Sequence, residues 1–234
     1  MDTSASRYLE QRPARQHDIR WDHPGWFIMR AVQRSLREHV ARAALPPGAQ
    51  VLDFGCATRP YRELFAEAVY RGADLPGNAQ ADVTINPDGT LPLAACSTDF
   101  VLSTQVLEHI PDPGVYLRES LRVLKPGGAL LLSTHGLWIY HRDPVDYWRW
   151  TAEGLRFAAE REGFRVESIE GLMGLAAVAV QLFQDATFHR LPRPLRWAYA
   201  IFMQRLVALM DAFHTPESRV RNAMVYVMLA RRPA

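Results

Sequence analysis

The stretch VLDFGCATRPY, residues 51–61, constrains this chain more than any other. A short apolar run, Val51-Leu52-Asp53-Phe54, stops at Gly55, which reads as a strand closing in a tight turn. In a nucleotide-binding α/β sheet, the first strand ends in such a turn, and the backbone there comes close to a ligand. A second carboxylate, Asp74 in YRGADLPG, follows 21 residues after Asp53. That distance places it at the tip of the next strand, where an acid can accept hydrogen bonds from both ribose hydroxyls. Either feature alone is a common strand-to-helix turn or a solvent-facing acid. Together, at this spacing, they point to a nucleotide-like ligand.

The remaining pattern supports an α/β chain. Phe27, Ile28, Val32, Leu36, Val40 and Ala44 recur at helical spacing from Trp26 to Leu45, and Pro46-Pro47-Gly48 stops that run. Strands are predicted at Tyr70–Ala73, Val83–Ile85, Asp99–Ser103, Ala129–Ser133, Phe164–Ile169 and Ala223–Ala230. With residues 51–54 that makes seven. A helix is predicted over about Gly114–Leu124, closed by the stop and turn Lys125-Pro126-Gly127-Gly128. Alternation of this kind implies a mainly parallel sheet with helices on both faces. The expected organisation is an N-terminal segment and helix over 1–47, a core over 48–171, a helical insertion over 172–214, and a last strand over 215–234.

Composition narrows the class. A formal charge of +2 over 234 residues, without a basic tail or stripe, argues against a nucleic-acid partner. Cys56 and Cys96 are the only cysteines, too few for a disulfide framework, so a reducing, cytoplasmic setting is expected. Neither a signal-type leader nor an apolar run of about 18–20 residues is visible. No carboxylate–histidine cluster has recognisable ligand spacing, so no metal is expected.

The segments VLDFGC, GADL, DGTLPL, TDFVLSTQVLEHIPDP and YLRESLRVLKPGGALLLSTHG occur in an order that resembles the class I S-adenosylmethionine-dependent methyltransferases, especially the bacterial type 11 group. The resemblance covers about residues 48–170 and the last strand. HRDPVDYWRWT, residues 141–151, is similar to a subgroup of that family. The resemblance implies a Rossmann-like seven-stranded sheet, S-adenosyl-L-methionine as cofactor, and methyl transfer to oxygen or nitrogen of a small molecule. It implies that Asp53 and Gly55, with Cys56, shape the loop under the cofactor's amino-acid portion. Asp74 would bind the ribose and Leu75 would pack on the adenine. Asp88 would meet the adenine amino group, with Asn86 as its alternate, and Gln105 would face the methionine moiety. One departure is Ala57, which stands where the family commonly has a second glycine. Arg59 is a candidate for the cofactor carboxylate.

The acceptor side is expected after the fourth and fifth strands, at the carboxyl edge where ligands sit. Methyl transfer needs alignment above all, and a hydroxyl or ammonium acceptor must also lose a proton, work suited to histidine or a carboxylate. His135, His141 and Asp146 are the catalytic candidates. Tyr147, Trp148 and Trp26 are the substrate-binding candidates, in a dense polar-aromatic loop that also holds Asp143 and Trp150 and under a lid that includes Trp21 and His23. The same aromatics could simply anchor the loop, and His109 reads as structural. The insertion of residues 172–213 could wall the pocket, form a homodimer face or lie on a membrane surface; a wall or dimer face is expected. Two other functions remain open: another reaction of the same sulfonium, such as cyclisation or aminocarboxypropyl transfer, and a non-catalytic cofactor-binding subunit.

Overall fold

The computed structural model describes residues 19–141 and 145–234. Residues 1–18 of the N-terminal segment and Asp143 of the aromatic loop lie outside the described residues.

Helix α1 (Trp26–Ala43) turns Ile28, Val32 and Leu36 inward, and it ends where Ala44 takes a left-handed conformation ahead of Pro46. Strand β1 (Gln50–Phe54) follows, then a 3-10 turn (Arg62–Phe65), β2 (Val69–Asp74), β3 (Val83–Thr84) and β4 (Thr98–Thr104). A second 3-10 turn (Leu107–His109) leads to α2 (Pro113–Val123), β5 (Leu124–His135), α3 (Ala152–Arg161) and β6 (Arg165–Leu172). Two helices, α4 (Leu175–Phe188) and α5 (Arg193–Asp211), form the insertion; a short α6 (Pro216–Arg221) precedes β7 (Val225–Arg231). Asp112 caps α2 by accepting from the Gly114 and Val115 amides, and Thr151 caps α3 through the Gly154 amide.

The seven strands pair in the order β3-β2-β1-β4-β5-β7-β6, and only β7 runs antiparallel to its neighbours. Successive residues of a strand face opposite sides. Leu52, Val101, Leu130 and Leu132 therefore meet Leu117 and Leu155 on one face, while Val51, Phe100, Leu102 and Leu131 meet Val32, Leu36, Val178 and Val207 on the other. Strands covered twice read as unbroken apolar runs, as in Ala129–Leu132. The chain builds outward from β1 to β3 and then returns to β4 on the other side. The reversal opens a crevice at the carboxyl ends of β1 and β4.

Three differences from the sequence expectation have physical causes. The β1–β2 crossover holds a 3-10 turn and no α-helix, because Pro60 interrupts the short connection. Residues 125–128 belong to β5: its pairing with β4 shifts register between Leu124 and Ala129, so the expected turn is a bulge. Gly128 sits there with Lys125 O and Asp99 O only 2.9 and 3.0 Å from where a Cβ would lie. Helix α6 was not expected; its six residues are too few to show a period.

Candidate active site

The first corner forms where β1 and β2 end. Gly55 turns with φ 88°, and a Cβ there would lie 2.5 Å from the Val106 side chain, so only glycine fits. The Gly55 and Cys56 amides both donate to Ala73 O, at 2.8 and 3.0 Å, which folds the loop back over β2. Asp74 then ties the loop's next turn. Its Oδ2 accepts from the Ala57 amide at 2.9 Å and from Asn78 Nδ2 at 2.7 Å, and its Oδ1 accepts from the Leu75 amide. Ala57 and Arg59 both adopt positive φ, 45° and 55°. Non-glycine residues held so store strain, typically where a loop is shaped for a ligand.

Asp53 is buried beneath this loop. Tyr70 Oη donates to its Oδ2, while Oδ1 is buried with no partner among the described residues. Burial, with the nearby Asp74 charge and against the Tyr70 hydrogen bond, pushes the carboxyl up to about 7. An unsatisfied buried oxygen beside a glycine turn fits a ligand that brings a donor, as the ammonium of an amino acid does. Asp53 and Asp74 lie near enough for the charge of Asp74 to act on the Asp53 carboxyl. Cys56 is buried and its thiol is pushed up to about 12, mainly by burial, so it packs and does not react. Leu75 is exposed beside Asp74, open to a flat ring. Arg59 is held 2.8 Å from Asp82, so the proposed partnership with a ligand carboxylate would require leaving that pair. Asp88 accepts from the Thr90 amide and hydroxyl in its own exposed turn, and Asn86 donates to Thr90 Oγ1. Asn86 follows Ile85, whose amide donates to Asp74 O at 2.9 Å.

Gln105 links the first corner to the second. It has a positive φ of 55° just beyond β4, where its amide and side chain donate to Ser133 O and Oγ at 2.9 and 3.0 Å.

The second corner lies at the end of β5. His135 is buried and stacks on Trp138, with ring centroids 4.5 Å apart. Its Nε2 lies 3.3 Å from Glu108 Oε1, and its Nδ1 is buried without a partner among the described residues. Glu108 is fully buried, accepting from Thr134 Oγ1 at 2.9 Å. Burial pushes the carboxyl of Glu108 up to about 8 and the imidazole of His135 down to about 2. The pair is therefore uncharged at neutral pH. His141, more exposed, lies 4.8 Å from the His135 ring and 4.9 Å from His109. Its amide donates to Asp146 Oδ2, and its Nδ1 is 3.7 Å from the same oxygen.

Arg149 organises the loop. It forks onto Asp146 at 2.6 and 2.5 Å and donates to Trp138 O, Ile139 O and Trp148 O. Although burial opposes ionisation, Arg149 and the His141 amide hold the Asp146 carboxyl well below the usual range. His135, His141 and Asp146 present ligand atoms within 4.8 Å of one another, close enough to gather round a cation. The guanidinium already on Asp146 would have to yield to it.

Trp138, Tyr140, Asp146, Tyr147, Trp148 and Arg149 line an open cleft of about 300 Å³. Tyr147 and Trp148 also anchor the loop, for their amides donate to Glu108 O and the indole of Trp148 donates to Ile110 O at 2.8 Å. Trp26 opens α1, beside Pro24 and Phe27, which are bonded to Gln181, Gln184 and Gln204 of the insertion. Glu108 and Arg149 were missed in the sequence. An acid inside the apolar string QVLEHI was the available signal for Glu108, whereas the role of Arg149 depends on four carbonyl and carboxylate groups that only folding assembles.

Residues 28–174 match the family described as a methyltransferase domain. Among curated proteins, the chain is 29% identical over 119 residues to the 2-methyl-6-phytyl-1,4-hydroquinone methyltransferase of Synechocystis sp., covering 44% of this chain and 37% of that protein. It is 34% identical over 113 residues to the ubiquinone biosynthesis O-methyltransferase of Xanthomonas axonopodis pv. citri, covering 42% and 47%. The chain thus spans less than half the length of these relatives. Its fold is shared with the [4+2]-cyclase SpnF (TM-score 0.57, 20% identity, 88% of this chain and 82% of that one). It is shared too with phosphoethanolamine N-methyltransferase 2 of Haemonchus contortus, solved with S-adenosylhomocysteine (TM-score 0.55, 14% identity, 86% and 53%).

Proposed function

The chain belongs to the methyltransferase-domain family, and from that premise we propose that it is an S-adenosylmethionine-dependent methyltransferase that methylates a hydroxyl on a flat, phenol-like small molecule. The observation that carries this reading is the cleft of Trp138, Tyr140, Tyr147 and Trp148 beside His141. Aromatic walls favour a ring laid between them. The names of the two curated relatives, which specify a hydroquinone substrate and an O-methyl product, agree with it.

In this reading Asp74 takes the ribose hydroxyls in exchange for Asn78, and Asp53 Oδ1 accepts from the ammonium of the amino-acid portion through the Gly55 turn. Leu75 lies under the adenine, with Asp88 or Asn86 moving toward its amino group, and Gln105 borders the methionine chain. Bound S-adenosylmethionine supplies an electrophilic methyl group on a sulfonium. Tyr147 and Trp148 align the acceptor ring, which supplies much of the rate in a displacement of this kind. His141, the more exposed imidazole, removes the acceptor's proton as the oxygen–methyl bond forms. Asp146 holds the His141 backbone in place. His135 stays neutral behind it, backed by Glu108, and shapes the pocket floor.

The test is to incubate the protein with S-adenosylmethionine and a panel of catechols, hydroquinones and amines, and to identify both products. S-adenosylhomocysteine with a methyl ether is expected. Methylthioadenosine would indicate aminocarboxypropyl transfer, turnover of amines alone would move the acceptor atom to nitrogen, and failure to bind the cofactor would mark a non-catalytic subunit.

A further inference from the structure

The α4–α5 hairpin buries a polar cluster beside its apolar contacts with the sheet and leaves large aromatics outside. A helix in water turns its apolar residues inward and its polar ones outward. Here Gln181, Gln184 and Gln204 are buried against one another: Gln204 Nε2 donates to Gln181 Oε1 and Gln184 Oε1 at 2.8 and 2.9 Å, and all three side-chain amides donate to Pro24 O. Outward stand Phe183, Trp197, Phe202 and Phe213, the last two 65% and 75% exposed. Leu195, Phe202 and Leu209 recur every seven residues, so on α5 they form one exposed stripe. Exposed aromatic surface on this scale marks a docking face.

The charges identify the occupant. The hairpin carries Arg190, Arg193, Arg196 and Arg205, and its only acids are Asp185 and Asp211. Both acids are committed: Asp185 accepts from Gln181 at 2.9 Å, and Asp211 accepts from the Gly174 amide and pairs with Arg219. A second copy docked on the same face would set arginines against arginines without an acid to relieve them, since a two-fold contact repeats one patch. Phosphate headgroups complement that charge, and acyl chains receive the aromatics. No described helix is long and apolar enough to cross a membrane, which leaves the surface. We propose that the α4–α5 hairpin docks on an anionic lipid bilayer, with the stripe of Leu195, Phe202 and Leu209 in the acyl boundary and Arg190, Arg193 and Arg205 at the phosphates. After the hairpin and the short α6, the chain re-enters the sheet at Val225, which pairs with His135.

The test is sedimentation of the full chain with vesicles of phosphatidylcholine alone or mixed equally with phosphatidylglycerol. Co-sedimentation with the mixed vesicles, lost on Phe202→Glu, is expected, with binding weakened about fivefold by Arg193→Ala. Circular dichroism and a cofactor titration confirm that both variants remain folded, and neither depends on the acceptor assignment. Absence of binding to the mixed vesicles would overturn the proposal, as would undiminished binding by Phe202→Glu. A concentration-dependent dimer in light scattering that Phe202→Glu dissociates would also overturn it and give the face to a second copy.

Discussion

The two corners of the site are built by opposite means. At β1 and β2 the working groups are backbone amides and two strand-tip carboxylates, held by a glycine turn that admits no side chain. At β5 the working groups are side chains, His135, His141, Asp146 and Arg149, packed on a buried acid that reaches them from β4's turn. A backbone-built corner tolerates change outside its two carboxylates but not in its φ angles. A side-chain corner has the reverse sensitivity. The first accepts a ligand common to a family, while the second can be rebuilt for each acceptor.

The sharpest way to separate the corners is His141→Ala. Loss of a general base costs about 10²–10⁴ in rate, so turnover is expected to fall by that order while cofactor affinity in calorimetry stays within twofold or so. A parallel loss of affinity would mean that the two corners are not independent. Next in size is Glu108→Gln. The folded carboxyl titrates at about 8, above its ordinary 4.5, so between these values the folded state holds a proton that the unfolded chain has lost. That makes the wild type lose stability as pH rises from about 5 to 8. The glutamine variant lacks this slope, and thermal melts across that range should show it gaining on the wild type by about 1–3 kcal/mol, the usual cost of a poorly satisfied buried group. Parallel melting curves would place the proton elsewhere. The smallest effect belongs to the backbone corner. Ala57→Gly relieves a left-handed alanine and should stabilise the fold by about 1 kcal/mol, read as a rise in the melting midpoint. A lower midpoint would show that this alanine's packing matters more than its strain.

This contrast also decides how much was legible in sequence. The mainly parallel sheet and the β1–β2 turn follow from local rules: apolar runs, a glycine that only a turn requires, and an acid at a set distance. The Ala57 departure was visible, but not that Ala57 would keep the left-handed conformation and donate its amide to Asp74. The β5 corner was named only as a cluster. Glu108 and His135 are 27 positions apart and meet because β4 and β5 are adjacent, and no local pattern encodes that contact. The hairpin was seen as apolar, yet its buried glutamines were not recognised, because they meet one another and Pro24 only when both helices and the start of α1 are folded together.

The most direct test of the account is a calorimetric titration of S-adenosylhomocysteine into the wild type and into Asp74→Ala. One site in the wild type and at least about tenfold weaker binding in the variant, roughly 1.4 kcal/mol, are predicted. Equal affinities in the two proteins would contradict the placement of the cofactor at the tips of β1 and β2.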